Sequence, residues 1–78
     1  MRIIDLLNKI KWDKNLNKDC FSIIYFDRVN NNEIEINYNK IKKIEGNFMV
    51  IEKDLEESNI PLHRIKKIMK NKEVIWQR

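Results

Sequence analysis

The sequence predicts an α+β domain in which an N-terminal helix packs on an antiparallel sheet. Two observations carry this. Ile3, Ile4, Leu6, Leu7, Ile10 and Trp12 recur at helical spacing, and from Cys20 onward the apolar pattern changes to runs of β-branched and aromatic residues broken by polar turns.

The helix should end near Trp12, because residues 13–19 are polar and turn-prone. Trp12 then reads either as a lid on the core edge or as a stacking surface for a base. Cys20-Phe21-Ser22-Ile23-Ile24-Tyr25-Phe26 is the clearest strand, apolar on both faces and therefore central. Asp27-Arg28 and Asn30-Asn31-Asn32 form the turn, and Glu33 to Tyr38 alternates strictly as a half-exposed antiparallel partner. Asn39 to Glu45, with apolar residues three apart, reads as a single helical turn ended by Gly46-Asn47. Phe48 to Ile51 is a third, short strand, Glu52 to Asn59 an acidic surface loop, and Pro61 fixes the chain beyond it. For residues 62–76 two readings stay open. Leu62, Ile65, Ile68 and Met69 fit a helix capped at Ser58 or Asn59, whereas Asn71-Lys72 before Glu73-Val74-Ile75-Trp76 looks like a hairpin turn into a strand.

With 78 residues the chain has room for one core and one domain, spanning 1–78. One cysteine, Cys20, offers neither an internal disulfide nor a metal cluster, and it reads as a buried small hydrophobe in a reducing compartment. A charge at Asp5 and the lack of a long apolar run argue against a signal peptide or a spanning helix, so a cytoplasmic protein without a membrane partner is expected. The net charge is +4, unevenly spread. Residues 1–44 carry nine Lys/Arg against six Asp/Glu, residues 45–61 one against five, and residues 62–78 six against one. A basic C-terminal stretch after an acidic one suits an anionic partner; a surface merely loaded with Lys and Glu is the competing explanation.

Pro61-Leu62-His63-Arg64-Ile65 holds the only proline and the only histidine. With Leu7 to Asp13, Tyr25-Phe26-Asp27-Arg28 and the run through Ile68 to Val74-Ile75-Trp76 and Arg78, it resembles a small archaeal protein family. That family, formerly a domain of unknown function, is described as an RNA cyclic-group-end recognition domain. The resemblance covers the whole chain, with Pro-x-His-Arg-Ile its most specific piece. Asn71-Lys72 departs from it, since the family usually places a glycine at that turn; Asn71 still tolerates a left-handed conformation. The resemblance implies a C-terminal hairpin, hence a sheet of about five strands. It also implies binding of RNA ends, above all 2′,3′-cyclic phosphates, and association with RNA-processing or repair enzymes, here supplied in trans.

A cyclic phosphate calls for a planar bidentate donor, a second donor and a flat surface for the terminal base. His63, Arg64, Arg28 and Lys66 are the candidate phosphate contacts, with Trp12 and Trp76 as candidate stacking residues. Neighbours on a strand point to opposite faces, so His63 and Arg64 should not line one pocket unless a bend re-aims one of them. Arg28 has a competing role as an ion-pair partner of Asp27 or Glu33, and His63 as a core imidazole satisfied by a backbone carbonyl. General acid–base opening of a cyclic phosphate normally uses two titrating groups, often two histidines, and this chain has one. No Gly-rich phosphate loop or metal-ligand spacing is present, and no cofactor is expected. The expectation is a non-catalytic RNA 3′-end binder. The alternatives are a protein-interaction module with a basic face or, less favoured, a phosphoesterase.

Overall fold

A computed structural model describes residues 2–78, with Lys53 described by its backbone alone. The helix α1 spans Ile3–Trp12, with Asp5 in its first turn and Lys9 and Lys11 in its last, the arrangement its dipole favours. Leu7 and Ile10 are its buried face. Seven strands follow: β1 Phe21–Asp27, β2 Asn32–Asn37, β3 Ile41–Glu45, β4 Phe48–Lys53, β5 Glu56–Pro61, β6 Ile65–Lys70 and β7 Glu73–Gln77. They form two antiparallel sheets, in the orders β2-β1-β6-β7 and β3-β4-β5. The α+β class, the helix and the C-terminal hairpin are as expected.

Two segments differ from their sequence reading. Residues 39–45 supply the end of a 3₁₀ turn, Tyr38–Lys40, and then β3 rather than one helical turn. Residues 52–59 are the end of β4, a two-residue turn and most of β5 rather than a loop. Glu57 and Asn59 lie on one solvated face of this strand, and Glu56 is exposed at its start, so their polarity reflects exposure rather than a loop. The turn works because Asp54 and Leu55 both take positive φ, 53° and 69°, as a two-residue hairpin demands. Asn71 and Lys72, at 51° and 71°, repeat the device between β6 and β7.

The chain passes between the sheets at two 3₁₀ corners: Tyr38–Lys40 joins β2 to β3, and Leu62–Arg64 joins β5 to β6. Each corner buries its first residue, Tyr38 or Leu62. The spacing of three that mimics a helix has a local cause here. A 3₁₀ turn brings its first residue and the one three places on to the same side, which accounts for Leu62 and Ile65. A β-bulge accounts for the next step: Tyr25 pairs with Ile65 and Ile24 with Lys67, leaving Lys66 as the extra residue. Ile65 and Ile68 therefore both reach the core, each fully buried. β3 does the same, since Ile41 pairs with Ile51 and Lys43 with Val50, leaving Lys42 over.

This parallel extends over most of the domain. β2, its corner and β3 begin 24 positions before β5, its corner and β6, matching Tyr38 to Leu62 and Ile41 to Ile65. In sequence, Lys40-Ile41-Lys42-Lys43-Ile44 answers Arg64-Ile65-Lys66-Lys67-Ile68. Pairing carries it further: Tyr25 faces Ile34 in β2, and Ile51 faces Ser58, the counterpart of Ile34, in β5. The domain is thus built from two copies of a strand–corner–strand unit around one core. Ile23, Met49, Ile51, Ile65 and Ile68 meet Leu7 and Ile10 of α1 there, and the buried Tyr38 hydroxyl donates to the Leu7 carbonyl at 2.8 Å.

Candidate nucleic-acid interface

The corner Leu62–Arg64 is where the sequence concentrates its candidates, and its geometry separates them. Pro61 enters with φ −59° and ψ 137°, which proline's ring favours. The Leu62 amide donates to the Asn47 carbonyl at 2.8 Å. Arg78 then clamps the corner from the C-terminus. Its backbone amide donates to the Lys66 carbonyl at 3.0 Å, its Nε to Ile65 O and its Nη2 to Leu62 O, each at 3.2 Å. The guanidinium sits 5.6 Å from the Trp76 ring centre.

His63 and Arg64 leave this corner into different clefts, as expected of neighbours on a strand, although here a 3₁₀ turn parts them. Arg64 lines a cleft of about 430 Å³ with Tyr25, Phe26, Asn30, Ser58 and Asn59. Its Nε is buried and has no hydrogen-bond partner. An orphaned buried N–H costs about 1–3 kcal/mol, so such a group calls for an explanation. The opposite wall is fixed by Asp27. Its Oδ1 accepts from the Val29 amide at 2.9 Å and the Asn30 amide at 3.4 Å, and its Oδ2 from Asn30 Nδ2 at 2.9 Å. The Tyr25 hydroxyl is held above its usual pKa, first by burial and then by the Asp27 charge, and so stays a neutral phenol.

His63 lines a second cleft of about 320 Å³ with Arg2, Asn47, Arg78 and the first residues of α1, Ile3 and Ile4. The opening amides of a helix lack intrahelical acceptors, and no side chain caps α1, so this cleft joins three basic side chains to a partial positive charge.

The remaining candidates are dispersed. Arg28 is exposed in the β1–β2 turn, next to Asp27 but outside the lining of the Arg64 cleft. Lys66 is the half-buried bulge residue of β6. Trp12 is 74% exposed, with Lys11 Nζ 5.5 Å from its ring centre, and lines none of the clefts described here. Trp76 is half-buried against the core. The sequence reading missed Asn30, Ser58 and Asn59. The signal available was Asp27-x-x-Asn30, an Asx-turn pattern, and the break in acidity at Ser58-Asn59.

A third cleft, about 330 Å³, opens on the other side of Tyr25 and Ile51, lined by Ile34, Ile36, Lys40 and Asp54 among others. It is the repeat counterpart of the Arg64 cleft. Ile34, Glu35, Ile36 and Lys40 stand where Ser58, Asn59, Ile60 and Arg64 stand, and Tyr25 and Ile51 line both. Among the described residues no group of three or more His, Cys, Asp or Glu could hold a metal ion, and no helix is long and apolar enough to cross a membrane.

The family model of the MJ1316 RNA cyclic group end recognition domain matches residues 1–78. The chain belongs to this family. Curated relatives of the RNA cyclic group end recognition domain include UPF0248 proteins of Saccharolobus islandicus strains L.S.2.15 and M.14.25, each 31% identical over 81 residues and covered end to end with this chain. A UPF0248 protein of Metallosphaera sedula is 30% identical over 78 residues, covering all of this chain and 94% of the relative. No solved structure matches. In this chain, Tyr25-Phe26-Asp27 and Arg64, which lie in two of the segments that carried the resemblance, line one cleft.

Proposed function

We propose that this domain binds RNA 3′ ends without catalysing their reaction, and that a terminal 2′,3′-cyclic phosphate docks in the Arg64 cleft. The observation that carries the reading is the buried Arg64 Nε without an acceptor, in a cleft whose other polar groups are the amides of Asn30 and Asn59, the hydroxyls of Ser58 and Tyr25, and the Asp27 carboxylate. A cyclic phosphate is a monoanion with two non-bridging oxygens. A guanidinium fork matches that pair and neutral amides and hydroxyls surround it, while the Asp27 carboxylate on the same wall accepts from the Val29 and Asn30 amides and from Asn30 Nδ2.

The other candidates fall into supporting roles. The His63 cleft, with Arg2 and Arg78, lies on the other side of the same corner and attracts the phosphodiester that precedes the end. Arg28 and Lys66 add positive field near the two clefts, and Trp12 with Lys11 offers an exposed stacking face to upstream nucleotides. Trp76 steadies Arg78. The separation of His63 from Arg64 supports binding over chemistry, since the only imidazole and the Arg64 guanidinium line different clefts.

Fluorescence anisotropy with one RNA oligomer ending in a 2′,3′-cyclic phosphate, a 3′-phosphate or a 3′-hydroxyl tests this. The cyclic phosphate should bind at least about tenfold more tightly than the hydroxyl, the worth of one charge-assisted pair. Equal affinity for all three would leave only a general basic binder. Incubation with the cyclic-phosphate oligomer should return it uncleaved.

A further inference from the structure

We propose that the Lys40 cleft is the seat for the base of the terminal nucleotide, a subsite that rests on the RNA-end reading and extends it. Three observations support it. The cleft adjoins the Arg64 cleft, with Tyr25 and Ile51 lining both. A ligand whose phosphate lies on Arg64 therefore has one short wall to cross before reaching it. The cleft is also the repeat counterpart of the Arg64 cleft with its polarity changed: Ile34 replaces Ser58, and Lys40 replaces Arg64. The same backbone cradle thus occurs once with polar walls suited to an anion and once with apolar walls suited to a flat, weakly polar ring.

Its walls agree with that assignment. Ile34 and Ile36 pack against the core from β2 yet stay half-exposed. The floor is Tyr25 and Ile51, and the polar groups around it are the amine of Lys40 and the carboxylates of Glu35, Glu52 and Asp54, a donor and several acceptors for the amino and imino edge of a base. About 330 Å³ holds one nucleobase with room to spare. The two indoles do not compete for this role, since neither Trp12 nor Trp76 lines either cleft.

The test compares two RNA oligomers with the same 2′,3′-cyclic phosphate, one intact and one whose terminal ribose lacks its base, beside the 3′-hydroxyl oligomer. Wild-type protein should bind the intact cyclic end about tenfold more tightly than the baseless one. In Ile34→Ser, which gives the Lys40 cleft the residue of its counterpart, that ratio should fall to about twofold, with the preference for cyclic phosphate over hydroxyl unchanged. Equal wild-type affinity for intact and baseless cyclic ends would overturn the base seat while leaving the Arg64 reading in place. Loss of the cyclic-over-hydroxyl preference itself would overturn both. If Ile34→Ser does not fold, the wild-type comparison decides alone.

Discussion

Arg64 occupies in the second half of the domain the position that Lys40 occupies in the first, each closing a 3₁₀ corner and each lining a cleft floored by Tyr25 and Ile51. One backbone device thus presents an amine to an apolar slot and a guanidinium to a polar one. The difference between the two side chains has functional weight, because a guanidinium offers a planar fork and an amine a point charge. Arg64→Lys should keep much of the salt dependence yet lose about tenfold in affinity for cyclic ends. Arg64→Ala should lose more while still folding. Anisotropy and thermal melting separate the two effects.

The bulge in β6 makes a structural prediction. Lys66 is the extra residue that lets Ile65 and Ile68 both face the core. Deleting Lys66 would move one of them to the solvent side, since a one-residue slip reverses the faces of a strand. The deletion should abolish cooperative unfolding as followed by circular dichroism, whereas Lys66→Ala should leave the melting temperature within a few degrees.

Lys72 sits in the β6–β7 turn at φ 71°, a conformation that costs a residue with a Cβ about 1 kcal/mol. Lys72→Gly should therefore stabilise the domain and raise its melting temperature by about 4–8 °C. RNA affinity should stay unchanged, because Lys72 lines neither the Arg64 nor the His63 cleft. A lower melting temperature would mean that the turn is held by something other than its backbone conformation.

The Tyr38 hydroxyl ties the first corner to α1 through the Leu7 carbonyl, and burial pushes its pKa up to about 12. The folded value lies above the unfolded one, so this contribution is whole below about pH 10 and is lost as pH rises toward 12. Tyr38→Phe should cost about 1 kcal/mol at neutral pH. It should also flatten part of the alkaline fall in stability, measured by urea unfolding at pH 7, 10 and 11.

The elements set by local chemistry were legible in the sequence: α1 from its period, β1 and β2 from their composition, β4 from its short apolar run. Residues 39–45 and 56–61 were not, for two physical reasons. A 3₁₀ corner followed by a bulge reproduces the spacing of three that a helix shows. An edge strand with a solvated face reads as a loop when its exposed positions are all polar and mostly acidic. Repetition of Lys/Arg-Ile-Lys-Lys-Ile at 40–44 and 64–68 was the signal that could have resolved both, because one hairpin then implies the other. At the site, Arg64 and the parting of His63 from Arg64 could be anticipated from adjacency. The partners Asn30, from the β1–β2 turn, and Ser58 and Asn59, from β5, meet only after folding.

The most direct measurement is the ratio of affinities for cyclic-phosphate and hydroxyl ends of one RNA oligomer, taken for the wild-type domain and for Arg64→Ala in the same buffer. The account predicts a wild-type ratio of at least about ten that falls toward one in the variant, with the residual affinity for the hydroxyl end little changed. A ratio that survives the loss of Arg64, in a variant that remains folded, would contradict it.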